Sequence, residues 1–178
     1  MRWQRLFADL EAQAEAEERL DGAARTADLQ RAEMAAIMQA DRLRGARGSV
    51  VALALQDGTR LAGVLAEVAD EWLLLDVAGR EVVVPGAAVD AVDWLPARAR
   101  QDGGVAARLG LGHVLRGLAR DRAVVVVRTR GGTFSGRIAR VGRDHLDVEA
   151  AGVGDARAPA GSSSVRFAAV LSVSAATF

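Results

Sequence analysis

Asp57-Gly58-Thr59-Arg60-Leu61-Ala62-Gly63-Val64-Leu65-Ala66-Glu67-Val68 and Arg130-Gly131-Gly132-Thr133-Phe134-Ser135-Gly136-Arg137-Ile138-Ala139-Arg140-Val141 are one phrase said twice. At a constant offset of 73 residues they share Gly58/Gly131 in a turn and Gly63/Gly136 inside the strand after it. Apolar residues coincide at Leu61/Phe134, Leu65/Ile138 and Val68/Val141. Each copy sits between two apolar runs, Val50 to Leu55 and Trp72 to Leu75 in the first, Ala123 to Val127 and His145 to Val148 in the second. Self-similarity at a fixed period marks a duplicated unit. Short β-rich runs around Gly-containing turns make that unit all-β.

Working outward, the first unit divides into five strands. Val50 to Leu55 is followed by a turn at Gln56 to Thr59 of Asp-Gly type, then by Arg60 to Val68. Gly63 inside that strand predicts a bend or bulge. Trp72 to Val77 returns, Ala78-Gly79 turns, and Arg80 to Val84 leads through Pro85-Gly86 into Val89 to Trp94. The second unit repeats this over 123–175 with a Gly/Ala/Ser-rich insertion between Ala150 and Ser164, expected to be mobile. Beyond it, Val165 to Val173 matches Val84 to Val92 at an offset of 81, so the insertion measures eight residues.

Helix is predicted on either side of the first unit. Trp3, Leu6, Phe7 and Leu10 share one face at i, i+3, i+4, i+7 spacing, with Leu29, Met34, Ile37, Met38 and Leu43 as the apolar side further on. Gly22 is a candidate break, and Gly45 and Gly48 are candidate ends. Heptad spacing is not sustained, so a coiled coil is not expected. Between the units, Pro96 to Gly104 reads as loop and Val105 to Arg120 as helix, with Leu109, Leu111, Val114, Leu115 and Leu118 apolar. The fold class is thus mainly β with α: an N-terminal helical arm (1–47), a first five-stranded barrel (48–95), a linker with a helix (96–122), and a second five-stranded barrel (123–178).

Composition narrows the function classes. The 178 residues contain no cysteine, which removes disulfides, thiolate zinc sites and cysteine nucleophiles, and points to a reducing, cytoplasmic setting. No apolar stretch approaches the roughly 20 residues that span a bilayer, and Met1-Arg2-Trp3 leads into charge, so neither a membrane partner nor a signal peptide is expected. Net charge is zero, but 49–97 holds two arginines against eight acids, while 98–145 holds eleven against three. A basic second half beside an acidic first half results. With two histidines and no acid/base spacing of note, the chain is read as a non-enzyme with no cofactor, no metal and no small-molecule substrate.

A helix, an apolar strand, an Asp-Gly turn, a strand with a bending glycine, a return strand and a closing pair together resemble the Sm/LSm (Sm-like) fold. The resemblance covers about Leu29 to Leu95 and Val105 to Ala175. Its first signature, D-G-x-x-x-x-G then D-x-H-M-N, is matched by Asp57 to Gly63 with Asp70-Glu71-Trp72-Leu73-Leu74, and by Arg130 to Gly136 with Arg143-Asp144-His145-Leu146-Asp147. Its second, apolar-Arg-Gly, is matched by Val84-Pro85-Gly86 and Val165-Arg166-Phe167. The whole chain also resembles small actinobacterial proteins of uncertain role.

The resemblance implies RNA binding, with one residue stacking on a base, an Asn reading its edge and an Arg covering its far face. Such stacking is worth about 1–3 kcal/mol per base. The stacking position is Trp72 in the first repeat and His145 in the second. Leu74 and Asp147 stand in the Asn position, and Pro85 and Arg166 in the Arg position. The second repeat therefore keeps more of the pocket, and the RNA-site candidates are His145, Asp147, Arg166, Arg143 and Arg140, with Trp72 in the first repeat. The competing expectation, which the eroded pocket favours, is a scaffold that self-associates into a homo-oligomer through barrel edge strands and the N-terminal helix, because unpaired edges are association sites.

Overall fold

In a computed structural model, residues 2–100, 104, 106–150 and 161–176 are described. Two compact units divide the chain, Met1–Met38 and Gln39–Phe178. The first is one helix, α1 (Arg2–Ala36). It runs through Gly22, contrary to the expected break. Flanking residues rich in Ala, Leu, Arg and Glu supply enough helix propensity to absorb the roughly 1 kcal/mol a glycine costs. The break comes instead at Ile37–Met38. Leu20, Leu29, Met34 and Met38 are exposed. The face of Trp3, Leu6, Phe7 and Leu10 falls on side chains outside those described.

The second unit is mainly β: a ten-stranded antiparallel sheet carrying two short helices. Helix α2 (Gln39–Gly45) precedes β1 (Val50–Leu55), β2 (Arg60–Val68), β3 (Trp72–Val77), β4 (Arg80–Pro85) and β5 (Val89–Asp93). Helix α3 (Leu111–Arg120) precedes β6 (Val124–Thr129), β7 (Gly132–Val141), β8 (His145–Ala150), β9 (Ser162–Arg166) and β10 (Val170–Ala175). The expected helix from Val105 thus starts at Leu111, after a 3-10 turn at Ala106–Arg108; Val105 itself lies outside the described residues. So does 151–160, the body of the insertion.

Across the sheet the order is β5-β1-β2-β3-β4-β10-β6-β7-β8-β9. Each repeat contributes five contiguous strands in the same order, and the two sets meet where β4 pairs with β10. Period-two patterning explains the strands: Val51, Leu53 and Leu55 point inward, fully buried, as do Val125 and Val127. Two apolar cores result, and each takes residues from the other repeat. Leu171 enters the first; Ala69, Trp72 and Val83 enter the second.

The shared glycines have a cause other than the expected bend. A Cβ on Gly63 would overlap the carbonyl of Asp76, and one on Gly136 the carbonyl of Glu149, so both let neighbouring strands approach closely. The irregularity in the ladder comes further on, between Leu65 and Glu67 and between Ile138 and Arg140. The turns also differ. Leu53 faces Leu61, whereas Val127 faces Phe134, so the second hairpin is one residue tighter. In the first, the Asp57 carboxylate accepts from the Thr59 amide (2.9 Å) and hydroxyl (2.8 Å), and Gly58 takes a φ of 81°.

Candidate functional site

The second repeat's free end is built by register. Among the described residues, strand β9 is the sheet's outer strand on that side and pairs only with β8. Leu146, Val148 and Val165 point into the core, which turns the alternate residues outward. His145 is the cross-strand partner of Arg166, and Asp147 lies between Arg140 on β7 and Ser164 on β9. Four of the six candidate residues are therefore brought into two adjacent rows at one end of three strands. Arg143 sits in the turn between β7 and β8, beside them.

That turn is firmly held. The Gly142 amide donates to the His145 carbonyl (2.9 Å), and the Phe167 amide to the Asp144 carbonyl (2.8 Å). A side chain at Gly142 would overlap the His145 ring, so the imidazole packs on bare backbone. His145 Nδ1 lies 2.9 Å from Asp144 Oδ1, with the two side chains 38% and 73% exposed. This bond, and then the nearby charges of His145 and Arg166, hold the Asp144 carboxyl below its ordinary range. Arg143 lines an open cleft of about 620 Å³ with Glu71, His113, Arg116 and Phe167.

Trp72 stands apart. It is 6% exposed, and its indole Nε1 donates to the Leu109 carbonyl (2.6 Å). Beside it, Glu71 Oε2 accepts from the Leu111 amide (2.9 Å). The approach to α3 thus occupies the place beside the first repeat's turn, and Trp72 offers no open ring face to a base.

The basic surface also divides. Arg128 donates to Thr59 Oγ1 (3.1 Å) and lies 3.7 Å from Asp57; Arg130 donates to Gln56 Oε1 (3.1 Å). These two belong to the joint between repeats, a role the repeat alignment could have signalled, since Arg130 aligns with acidic Asp57. Arg137, Arg140, Arg143 and Arg166 form no ion pair among the described residues. Chemically the end of β8–β9 offers a half-buried imidazole, acceptor carboxylates at Asp144 and Asp147, and unpaired guanidinium groups, with no amide to read a base edge. Among the described residues no group of three or more His, Asp or Glu is placed to hold a metal ion. No helix there is long and apolar enough to cross a membrane. No family model matches the chain, and no curated protein matches it significantly.

Proposed function

We propose that the chain is a non-enzymatic, cytoplasmic scaffold of two tandem Sm-like barrels that self-associates through its outer strands β5 and β9 and its N-terminal helix. The joint between repeats carries this reading. There the fourth strand of one repeat pairs with the fifth strand of the next, Val83 opposite Val173 and Val82 opposite Ser174. The same two kinds of strand are left outermost, β9 at one end and β5 at the other. An unpaired strand edge is a template for another chain, and edges of two different kinds favour head-to-tail contact between copies. Charge supports it, since the acidic first repeat would meet the basic second repeat of a neighbour. The exposed Leu29, Met34 and Met38 give the helical arm apolar side chains for a partner to cover. Light scattering coupled to size exclusion tests the reading; a monomer at micromolar concentration would overturn it.

A second reading, single-stranded RNA binding by the second repeat, is favoured by the unpaired Arg137, Arg140, Arg143 and Arg166. Phosphate contacts of this kind weaken steeply with salt. Labelled oligo-U titrated at two salt concentrations is expected to bind more tightly at the lower one; no binding at low salt ends this reading.

A further inference from the structure

Two hairpin tips meet at the joint between repeats. The tip between β1 and β2 carries Gln56 and Asp57, and the tip between β6 and β7 carries Arg130 and Gly131. Arg130 Nη1 donates to Gln56 Oε1 (3.1 Å), so the second tip reaches across to the first.

Sequence aligns Arg130 with Asp57, but the bonds made inside each repeat align it with Gln56. Gln56 Nε2 donates to the Ala87 carbonyl (2.7 Å), and Arg130 Nη2 donates to the Ala168 carbonyl (3.2 Å). Ala87 and Ala168 are the middle residues of the matching 3-10 turns, Gly86–Ala88 and Phe167–Ala169. The step of one residue is the tightening of the second hairpin. One position is thus an amide in the first repeat and a guanidinium in the second, with the Asp57 carboxylate added beside the amide. All three residues are exposed.

Outer strands that meet as β4 and β10 do set β9 of one copy beside β5 of the next. The Arg130 tip of one copy then takes the place that Gln56 has in the joint. The Gln56–Asp57 tip of the next copy takes the place of Arg130. The same residues face each other with their sides exchanged. Arg130 suits both contacts, because its guanidinium keeps N–H donors beyond those bonded to Gln56 and Ala168. Gln56 Oε1 has a second lone pair, and the neighbouring Asp57 supplies opposite charge. The clasp of Arg128 on Thr59 and Asp57 is not repeated between copies: Arg128 follows Val127, whereas Ala54 follows the corresponding Leu53.

We propose that the hairpin tips select which repeats meet: Arg130 of one copy bonds Gln56 of a second copy of this chain and is drawn there by its Asp57. This rests on the self-association reading and adds a rule of order to it. Unlike tips attract. Two second repeats would set Arg130 against Arg130, and two first repeats would leave both tips without a cation. Repeats therefore alternate across every contact, within a chain and between chains.

Exchanging charge between separate full-length chains tests it by sedimentation equilibrium. Arg130→Glu and Gln56→Arg each raise the dissociation constant about tenfold, since like charges then face each other between copies. An equimolar mixture of the two variants returns it to near the parent value. In an alternating assembly of the two, every contact joins either opposite charges or the parent pair, and mixing cures no folding defect. If the parent associates but two folded variants show no rescue on mixing, the tips do not meet, while self-association stands. Arg130→Gln places the first repeat's own side chain in the second and guards against misfolding. It is expected to raise the dissociation constant about fivefold with little change in the urea midpoint; unchanged association overturns the proposal. An Arg130→Glu chain that still associates but loses oligo-U binding assigns the tip to nucleic acid and also overturns it. A monomeric parent defeats both readings.

Discussion

Strands β4 and β9 are the fourth strand of the first and of the second repeat, and they end differently. Strand β4 offers Val82 and Val83, 7% and 6% exposed, to β10. Strand β9 offers Ser163 and Ser164 at the matching positions and, among the described residues, has no strand on its outer side. On the complementary side, β10 sends Leu171 into the first core, where β5 has Asp90. Exchanging valine and leucine for serine and aspartate removes the apolar burial that makes a joint permanent, about 1.5–3 kcal/mol for each large side chain. At the outer edges it leaves only main-chain hydrogen-bonding groups and charge to offer a partner. Duplication therefore kept the backbone pattern and altered how firmly each edge is closed.

The sharpest way to break this contrast is at the paired turns. Trp72→Ala removes a buried ring shared between the repeats and is expected to cost about 3–5 kcal/mol in urea unfolding. His145→Ala at the matching, half-exposed position is expected to cost less than about 1 kcal/mol in the monomer. Equal losses at the two positions would mean that the turns do the same work. Arg44→Ala comes next. Arg44 bonds Asp41 (2.8 Å) and Asp70 (2.5 Å), tying α2 to the first turn with side-chain exposures of 11% and 13% for the Arg44–Asp41 pair. Leaving Asp41 enclosed and unpaired is expected to cost about 3 kcal/mol, read from the thermal midpoint.

Converting one edge into the other has a smaller effect on each chain. Val83→Ser is expected to cost about 2 kcal/mol and to speed amide exchange along β10 selectively. Ser164→Val should leave the monomer's stability within about 0.5 kcal/mol of the parent while lowering the dissociation constant of self-association several-fold. Slower exchange in β10 for the first, or unchanged association for the second, would show that apolar burial does not set edge strength.

The smallest expected effect is a pH dependence confined to the first hairpin. Bonds from the Thr59 amide, then its hydroxyl, lower the Asp57 pKa, and the charge of Arg128 adds to this. Because the folded value is the lower one, the stabilisation is fully present above the unfolded value of about 3.9 and is lost as pH falls through the folded one. Asp57→Asn should flatten that acid limb slightly. The second hairpin, with Arg130 in the aligned position, has no carboxylate to lose.

Much of this architecture is legible in the residues. Alternating Val and Leu around the repeated turn locate the strands that flank it to within a few residues, because burial on one face leaves a period of two, whereas Ser162–Ser164, read as the end of the insertion, open β9. The joint is not legible: nothing local to Val82, Val83 or Val173 distinguishes a strand that pairs within its repeat from one that pairs with the next. Trp72 misleads for the same reason. An aromatic residue at a base-stacking position and one gripping a linker look alike until Leu109 is seen beside it. Gly22 shows the opposite limit, where a weak local preference yields to the helix on both sides. Of the RNA-site candidates, register brings His145, Arg166, Asp147 and Arg140 together, and the spacing of the second repeat already implied that.

The joint at β4–β10 is tethered by 96–122, so its two halves stay at high effective concentration however dilute the protein. Any larger arrangement forms from units that already count in twos. A closed ring of such chains must contain an even number of repeats, and it needs only half as many encounters between molecules as one assembled from single repeats. In the proposed assembly dilution undoes the contacts between chains, but it never separates the pair within one.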